Sequence, residues 1–222
     1  MTLDVEKGTR HLRRKDPVIG RGGDGGGADR VMRRLIDQHG PLDEEEHRRD
    51  RPLEPYGALV RSIVGQQLST KAARSIYERL TALFDGRTPT PAELLDADPE
   101  EVRSVGLSRP KVGYLRSLAE HVQSGELELD RLSELPDDEV SEQLTAVKGL
   151  GQWTADMFLI FHLRRPDVLP VGDLGIRRAV EREYGLPELP DAARLMEIGE
   201  PWRPHRSLAS LYLWRSLDNA PV

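Results

Sequence analysis

The sequence predicts an all-α fold, on three observations. Apolar residues recur at helical spacing over most of the chain. Serine, threonine, aspartate or proline stands just ahead of these stretches, with glycine or proline behind them. Alternating strand patterns are nearly absent, residues 127–129 being the single short candidate.

The elements follow in order. Residues 1–27 end in GRGGDGGG, a run too rich in glycine to hold structure cheaply, and read as a flexible arm. Gly20, Gly22 and Gly25 spell GxGxxG, but no strand precedes them and no βαβ pattern follows, so a dinucleotide site is not expected. Val31, Met32, Leu35 and Ile36 predict a helix over 28–39, stopped by Gly40-Pro41. The mixed charges of 43–51 read as a solvated connector. A helix after Pro55 breaks within 65–69, and Ser69 is placed to cap the next, through 84. Short helices are predicted over 91–97 and 99–105, and a longer one from Ser108 or Pro110 to 123, ended by Ser124-Gly125. A helix over 137–147 runs into LTAVKGLGQWTADMFLIF (144–161), which reads as two helical pieces hinged at Lys148-Gly149-Leu150-Gly151. Helices over 174–184, 191–198 and 206–217 follow, with an elbow at 201–204. No internal repeat is apparent.

Composition bounds the class. With 222 residues, 37% hydrophobic and 32% charged, the chain is long enough for one core or two small lobes and has a generous polar surface. No run approaches the roughly 20 apolar residues of a membrane span, and the first residues lack the apolar segment of a signal peptide. No cysteine is present, which removes disulfides, a thiolate nucleophile and an iron–sulfur cluster, and fits the cell interior. Lys plus Arg is 32 and Asp plus Glu 38, for a net charge of −6. That balance argues against indiscriminate nucleic-acid binding, yet a local positive face from Lys71, Arg74, Arg109, Lys111 and Lys148 is enough for a protein that holds a few phosphates. The six histidines show no metal-ligand spacing.

The hinge of the hairpin carries the chemistry. A helix start presents unsatisfied N–H groups and the positive end of its dipole, and glycine lets a phosphate approach closely. Downstream, Leu169-Pro170-Val171-Gly172-Asp173 delivers one carboxylate at the start of the 174–184 helix. Taken alone, Asp173 is a favoured capping residue; Trp153 and Met157, four apart, are an ordinary core pair; and Gln66-Gln67-Leu68 is a polar turn at a helix end.

KGLGQWTADMFLIF followed by LPVGDLGIRRAV resembles the helix-hairpin-helix DNA glycosylase superfamily, and within it the alkylbase (3-methyladenine) branch. Ser62-Ile63-Val64-Gly65-Gln66-Gln67-Leu68-Ser69 with Ala72 and Ala73 is similar to that branch's strand-separating turn, and Pro201-Trp202-Arg203 with 208–214 to its closing helix. The likeness runs from about residue 28 to 214. It implies two helical lobes without an N-terminal β domain, a central one over 52–166 and a second from 28–51 plus 167–222, with the active site in the cleft between them. It also implies a monomer, acting in the cytoplasm (on the nucleoid, in a bacterium) on double-stranded DNA with damaged bases.

The resemblance makes Asp173 the catalytic acid, compatible with its capping role, because a glycosylase cleaves through an oxocarbenium-like transition state that a fixed carboxylate stabilises. It puts Trp153, Met157, Leu174 and Trp202 around the base. A cationic methylated purine stacks on tryptophan with about 0.5 to 2 kcal/mol. Trp153 stands where bifunctional relatives carry the lysine that attacks the sugar, so a monofunctional enzyme without AP lyase activity is expected. Met157 and Leu174 replace aromatic residues of relatives, so a wider or shallower pocket is expected. Gln66, Gln67, Leu68 and Ser69 form the turn that fills the gap left by the flipped nucleotide, with either Gln67 or Leu68 as the wedge. Ser108, Arg109, Lys111, Lys148, Gly149, Gly151 and Thr154 are implied as DNA contacts, and the carbonyls of Thr145, Val147 and Leu150 as ligands of a structural Na⁺ or K⁺. No cofactor is required, and the cluster-bearing branches are excluded by the missing cysteines. Two alternatives remain open: a glycosylase of the same fold for oxidised, deaminated or etheno bases, and a non-catalytic hairpin that only clamps DNA.

Overall fold

The computed structural model describes residues 2–14, 28–42, 52 and 54–217. In chain order the helices are α1 (Val5–Arg14), α2 (Ala28–His39), α3 (Pro55–Gly65), α4 (Thr70–Ala82), α5 (Pro91–Asp96), α6 (Pro99–Ser104), α7 (Arg109–Ser124), α8 (Asp137–Ala146), α9 (Gln152–Met157), α10 (Leu174–Tyr184), α11 (Ala192–Gly199) and α12 (Arg206–Ser216). No strand occurs among the described residues; 127–129 leads instead into a 3-10 turn at Leu129–Glu134. The expected all-α class holds.

Local chemistry sets these boundaries. Ser69, Asp98, Ser108, Asp173 and Asp191 each accept an amide hydrogen bond at the head of their helix, and Thr90 and Glu93 form a reciprocal capping box. Prolines occupy the first turn of α3, α5, α6 and α7, where a missing N–H removes no ladder bond. Gly125 and Gly185 end α7 and α10 in the left-handed region.

The chain divides into two compact units. Residues 50–158 form one, in which α7 packs against α3, α5 and α6, and α9 against α3 and α8. Its core includes Leu59, Ile63, Leu80, Leu94, Leu115, Leu118 and Leu144, each at most 1% exposed. Residues 1–49 and 159–221 form the other, with α12 packed on α1, α2 and α10 around Met32, Leu35, Ile36, Val180, Tyr212 and Trp214.

This division departs from the expected one at two places. The crossover falls at 158/159 rather than 166. The segment after it is tied into its own unit: Ser207 Oγ donates to the Arg165 carbonyl and receives the Val168 amide, and Asp167 pairs with Arg203 and Arg206 at 3.0 and 2.8 Å. Residues 5–14, expected in a flexible arm, are helix α1. Its stripe Val5, Gly8, Leu12 is too short to stand out among charges, yet Leu12 is 2% exposed. A Cβ on Gly8 would lie 2.6 Å from Leu208, so glycine sets how closely α1 docks on α12. The glycine run, its GxGxxG and the 43–51 connector lie outside the described residues.

Two turns of the 50–158 unit share a partial likeness that sequence inspection misses. The turn between α6 and α7 is one residue shorter than the turn between α8 and α9 and shares its left-handed glycine and buried leucine, but its valine is helical (Val105, ψ −5) where Val147 is extended (ψ 126). Val105-Gly106-Leu107-Ser108 matches Val147, Gly149, Leu150 and Gly151, with glycines at φ +107 and +94 and leucines 5% and 3% exposed. A serine replaces the second glycine, which hides the likeness.

Candidate nucleic-acid interface and acidic centre

In the 50–158 unit the hairpin forms as expected, with α8 capped by Val147 and α9 starting at Gln152 behind its N-cap Gly151. Gly149 is obligatory for two reasons: its φ is +94, and a Cβ there would sit 2.1 Å from Cγ of Tyr114 on α7. Gly151 has no side chain to cap α9. Gly151 and Lys148 are exposed, as a backbone-gripping turn requires. Thr154 is not: it is 2% exposed and faces the core, correcting the expectation of a DNA contact, because its position on the short α9 turns it inward. The helix then widens into a π turn at Phe158–His162 instead of continuing regularly to 161.

The α3–α4 turn lies against the hairpin. Gln66 Nε2 donates to the Gly149 carbonyl at 2.9 Å, so Gln66 is a strut between the two turns rather than a group available to a DNA gap. Gln67 is exposed at φ +60, Leu68 is half-buried, and Ser69 caps α4. Lys111 is also corrected. Its Nζ donates to the carbonyls of Val64 (2.8 Å) and Gln66 (2.6 Å), and burial pushes it below its ordinary value, so the ammonium is engaged by the protein instead of a phosphate. Of the remaining expected cations, Arg74 pairs with Glu78 and Arg109 lies 3.9 Å from Glu100, while Lys71 and Lys148 are exposed. Ser108 caps α7 and is exposed. Trp153 is half-buried and Met157 is 3% exposed, which makes Met157 a core residue and not a pocket wall.

In the 1–49 and 159–221 unit, Asp173 is 8% exposed and is the N-cap of α10. Its Oδ1 accepts the Ile176 amide at 2.7 Å and the Trp214 indole N–H at 2.9 Å. Trp214 stacks on Phe161 at 5.7 Å. A Cβ on Gly175 would meet Asp173 Oδ1 at 3.0 Å and Trp214 Cδ1 at 3.3 Å, so the indole reaches the acid because residue 175 has no side chain. Trp214 and Gly175 are the two site residues the sequence reading missed. The available signal was a glycine in the first turn of a helix, where it is unfavourable unless something packs close to it. Leu174 is 47% exposed, as a contact surface needs. Trp202, expected to stack on a base, is 0% exposed, lying beside Tyr184 at 6.3 Å and under Gly199. An indole with no accessible face is core, and this expectation is corrected.

No helix of the described residues is long and apolar enough to cross a membrane, and no cluster of three His, Cys, Asp or Glu side chains suited to a metal occurs among them. The chain is 40% identical over 168 residues to DNA-3-methyladenine glycosylase 1 of Schizosaccharomyces pombe, covering 73% of this chain and 72% of that one. It is 29% identical to a putative DNA-3-methyladenine glycosylase of Bacillus subtilis, over 73% of this chain and 59% of the relative. Among solved structures, the S. pombe 3-methyladenine DNA glycosylase in complex with abasic-DNA superposes with a TM-score of 0.81 at 33% identity, over 97% of this chain and 98% of that one. An 8-oxoguanine glycosylase/lyase of Clostridium acetobutylicum, 18% identical with a TM-score of 0.71 over 95% of this chain and 70% of its own, shares the fold. Residues 60–204 match the family of HhH-GPD superfamily base excision DNA repair proteins, and the chain belongs to that family.

Proposed function

We propose that this protein is a monofunctional DNA glycosylase that flips alkylated purines, of the 3-methyladenine and 7-methylguanine kind, out of double-stranded DNA and hydrolyses their bond to the sugar. The observation that carries the reading is the carboxylate of Asp173, fixed through one oxygen by an amide and an indole N–H. The names of the relatives, DNA-3-methyladenine glycosylases, support the substrate class.

The chemistry asks little of the protein. The bond between sugar carbon and base nitrogen breaks with its electron pair going to the base, which leaves neutral because methylation had made it cationic. Positive charge grows on the sugar, and Asp173 stabilises it while orienting the water whose oxygen bonds to that carbon. The water's second proton passes to Asp173 or to solvent. Leu174, 47% exposed and next in the chain to Asp173, is the proposed contact for the base; within the 50–158 unit Gln67, exposed on its turn, is the proposed wedge with Leu68 behind it. The exposed Lys148, Gly149 backbone and Gly151 grip phosphate. A tryptophan at position 153 supplies no amine for a Schiff base, which supports the absence of lyase activity.

A hairpin Na⁺ or K⁺ fits the donors present. Thr145 lies in the last turn of α8, whose carbonyls leave the helix ladder, and Val147 O accepts the Leu150 amide at 3.0 Å while keeping a second lone pair. With Leu150 O these oxygens suit a hard cation, which would stiffen the turn. We further propose a monomer acting inside the cell.

The test is release of methylated adenine from alkylated duplex DNA. Wild type releases it, and Asp173→Asn, which keeps a cap acceptor, lowers the rate by at least about a hundredfold. Equal rates for both would overturn the reading. Borohydride trapping yields no covalent adduct, and a panel of duplexes with single defined lesions shows preference for methylated over oxidised or deaminated bases.

A further inference from the structure

We infer that Lys111 is a positioning residue: its ammonium holds the α3–α4 turn, and so the exposed Gln67, in register with the hairpin. This rests on the glycosylase reading for what the turn does, and on geometry alone for the clamp.

Three contacts carry the inference, all within the 50–158 unit. Lys111 Nζ bridges the carbonyls of Val64 and Gln66, the orphan acceptors where α3 ends. Gln66 Nε2 then reaches the Gly149 carbonyl at the apex of the hairpin turn. Tyr114, one turn along α7 on the same side, packs its ring on Gly149. A single face of α7 therefore holds both turns, Lys111 on one and Tyr114 on the other, with Gln66 as the tie. Next to Gln66 in this turn stands Gln67 at φ +60, a conformation that residues with a Cβ rarely adopt and that persists only where the surroundings impose it. A neutral side chain at 111 would leave two helix-end carbonyls without a charged donor, and the exposed turn would be free to relax.

The ammonium thus acts through the turn and not as a phosphate ligand, and the two roles predict different measurements. Lys111→Met keeps most of the aliphatic stem and removes the donor. Amide hydrogen exchange at Leu68, whose N–H bonds to Gly65, should speed up by about tenfold, while exchange in the α7 interior is unchanged. On alkylated duplex, kcat should fall by about tenfold, with undamaged-duplex affinity and its salt dependence as in wild type, and Lys111→Arg should recover most of the loss. Unchanged exchange at Leu68 overturns the clamp, whatever the activity. A salt dependence shallower by about one counterion with kcat at saturating DNA preserved also overturns it, making Lys111 a phosphate contact. Lys111→Gln, which retains a neutral donor, is measured in parallel in case the methionine variant does not fold. Failure of wild type to release any methylated base would sink the glycosylase reading alone, since the exchange measurement judges the clamp independently.

Discussion

Trp214 Nε1 donates at 2.9 Å to Oδ1 of Asp173, the same oxygen that caps α10 through the Ile176 amide at 2.7 Å. Two donors converging on one oxygen fix the carboxyl plane in a way a cap alone does not. Trp214→Phe retains an aromatic ring against Phe161 and deletes one donor. Base release should slow by about tenfold, the worth of a hydrogen bond to a charged group, with DNA affinity unchanged. Single-turnover kinetics on a methylated duplex measure it.

Gly149→Ala should be severe. The new Cβ overlaps the Tyr114 ring at 2.1 Å, and the backbone sits at φ +94. A loss of about 2 to 3 kcal/mol is expected, read by urea unfolding, together with weaker DNA binding because the hairpin turn must open.

Lys148 and Thr154 were both expected to touch DNA, and only Lys148 is exposed. Lys148→Ala should therefore weaken duplex binding and make its salt dependence shallower by about one counterion. Thr154→Ala should leave that slope as it was. Binding isotherms at several salt concentrations separate the two.

Acid should loosen the unit built on α1 and α12. His205 is 5% exposed and meets His11 edge-on at 4.9 Å. Burial first, then His11 and Lys7, push it below its ordinary value of 6.5, with Asp167 and Asp4 opposing. The folded state disfavours the charged imidazole, so the unfolded chain takes up the proton more readily. Stability is complete above 6.5 and falls as pH drops below it. Thermal melts from about pH 8 to about pH 5 should show this slope, flattened in His205→Asn.

Much of the fold was legible because helix ends are written locally. Proline at the first turn of α5 and α6, the caps at Ser69 and Ser108, and Gly125 and Gly185 behind α7 and α10 all mark boundaries without reference to the rest of the chain. Asp173 and the hairpin were legible as motifs. What escaped depends on partners distant in sequence. Helix α1 becomes a helix by docking Gly8 on α12 and burying Leu12, and its own charged sequence does not announce that. Trp202 and Trp214 look equivalent as indoles near the C-terminus, and only packing assigns one to the core and the other to the acid. Lys111 reads as a surface cation until the carbonyls it serves, Val64 and Gln66, are brought to it.

The acid-bearing unit is assembled from both ends of the chain, whereas the hairpin-bearing one is continuous. During synthesis the continuous unit can finish its contacts while the ribosome is still adding later residues. Helices α1 and α2, which pack on each other, cannot complete their burial until α10 and α12 emerge. Aggregation during production should accordingly track changes in α1 and α2 and in α12 alike, since each end is the other's missing half.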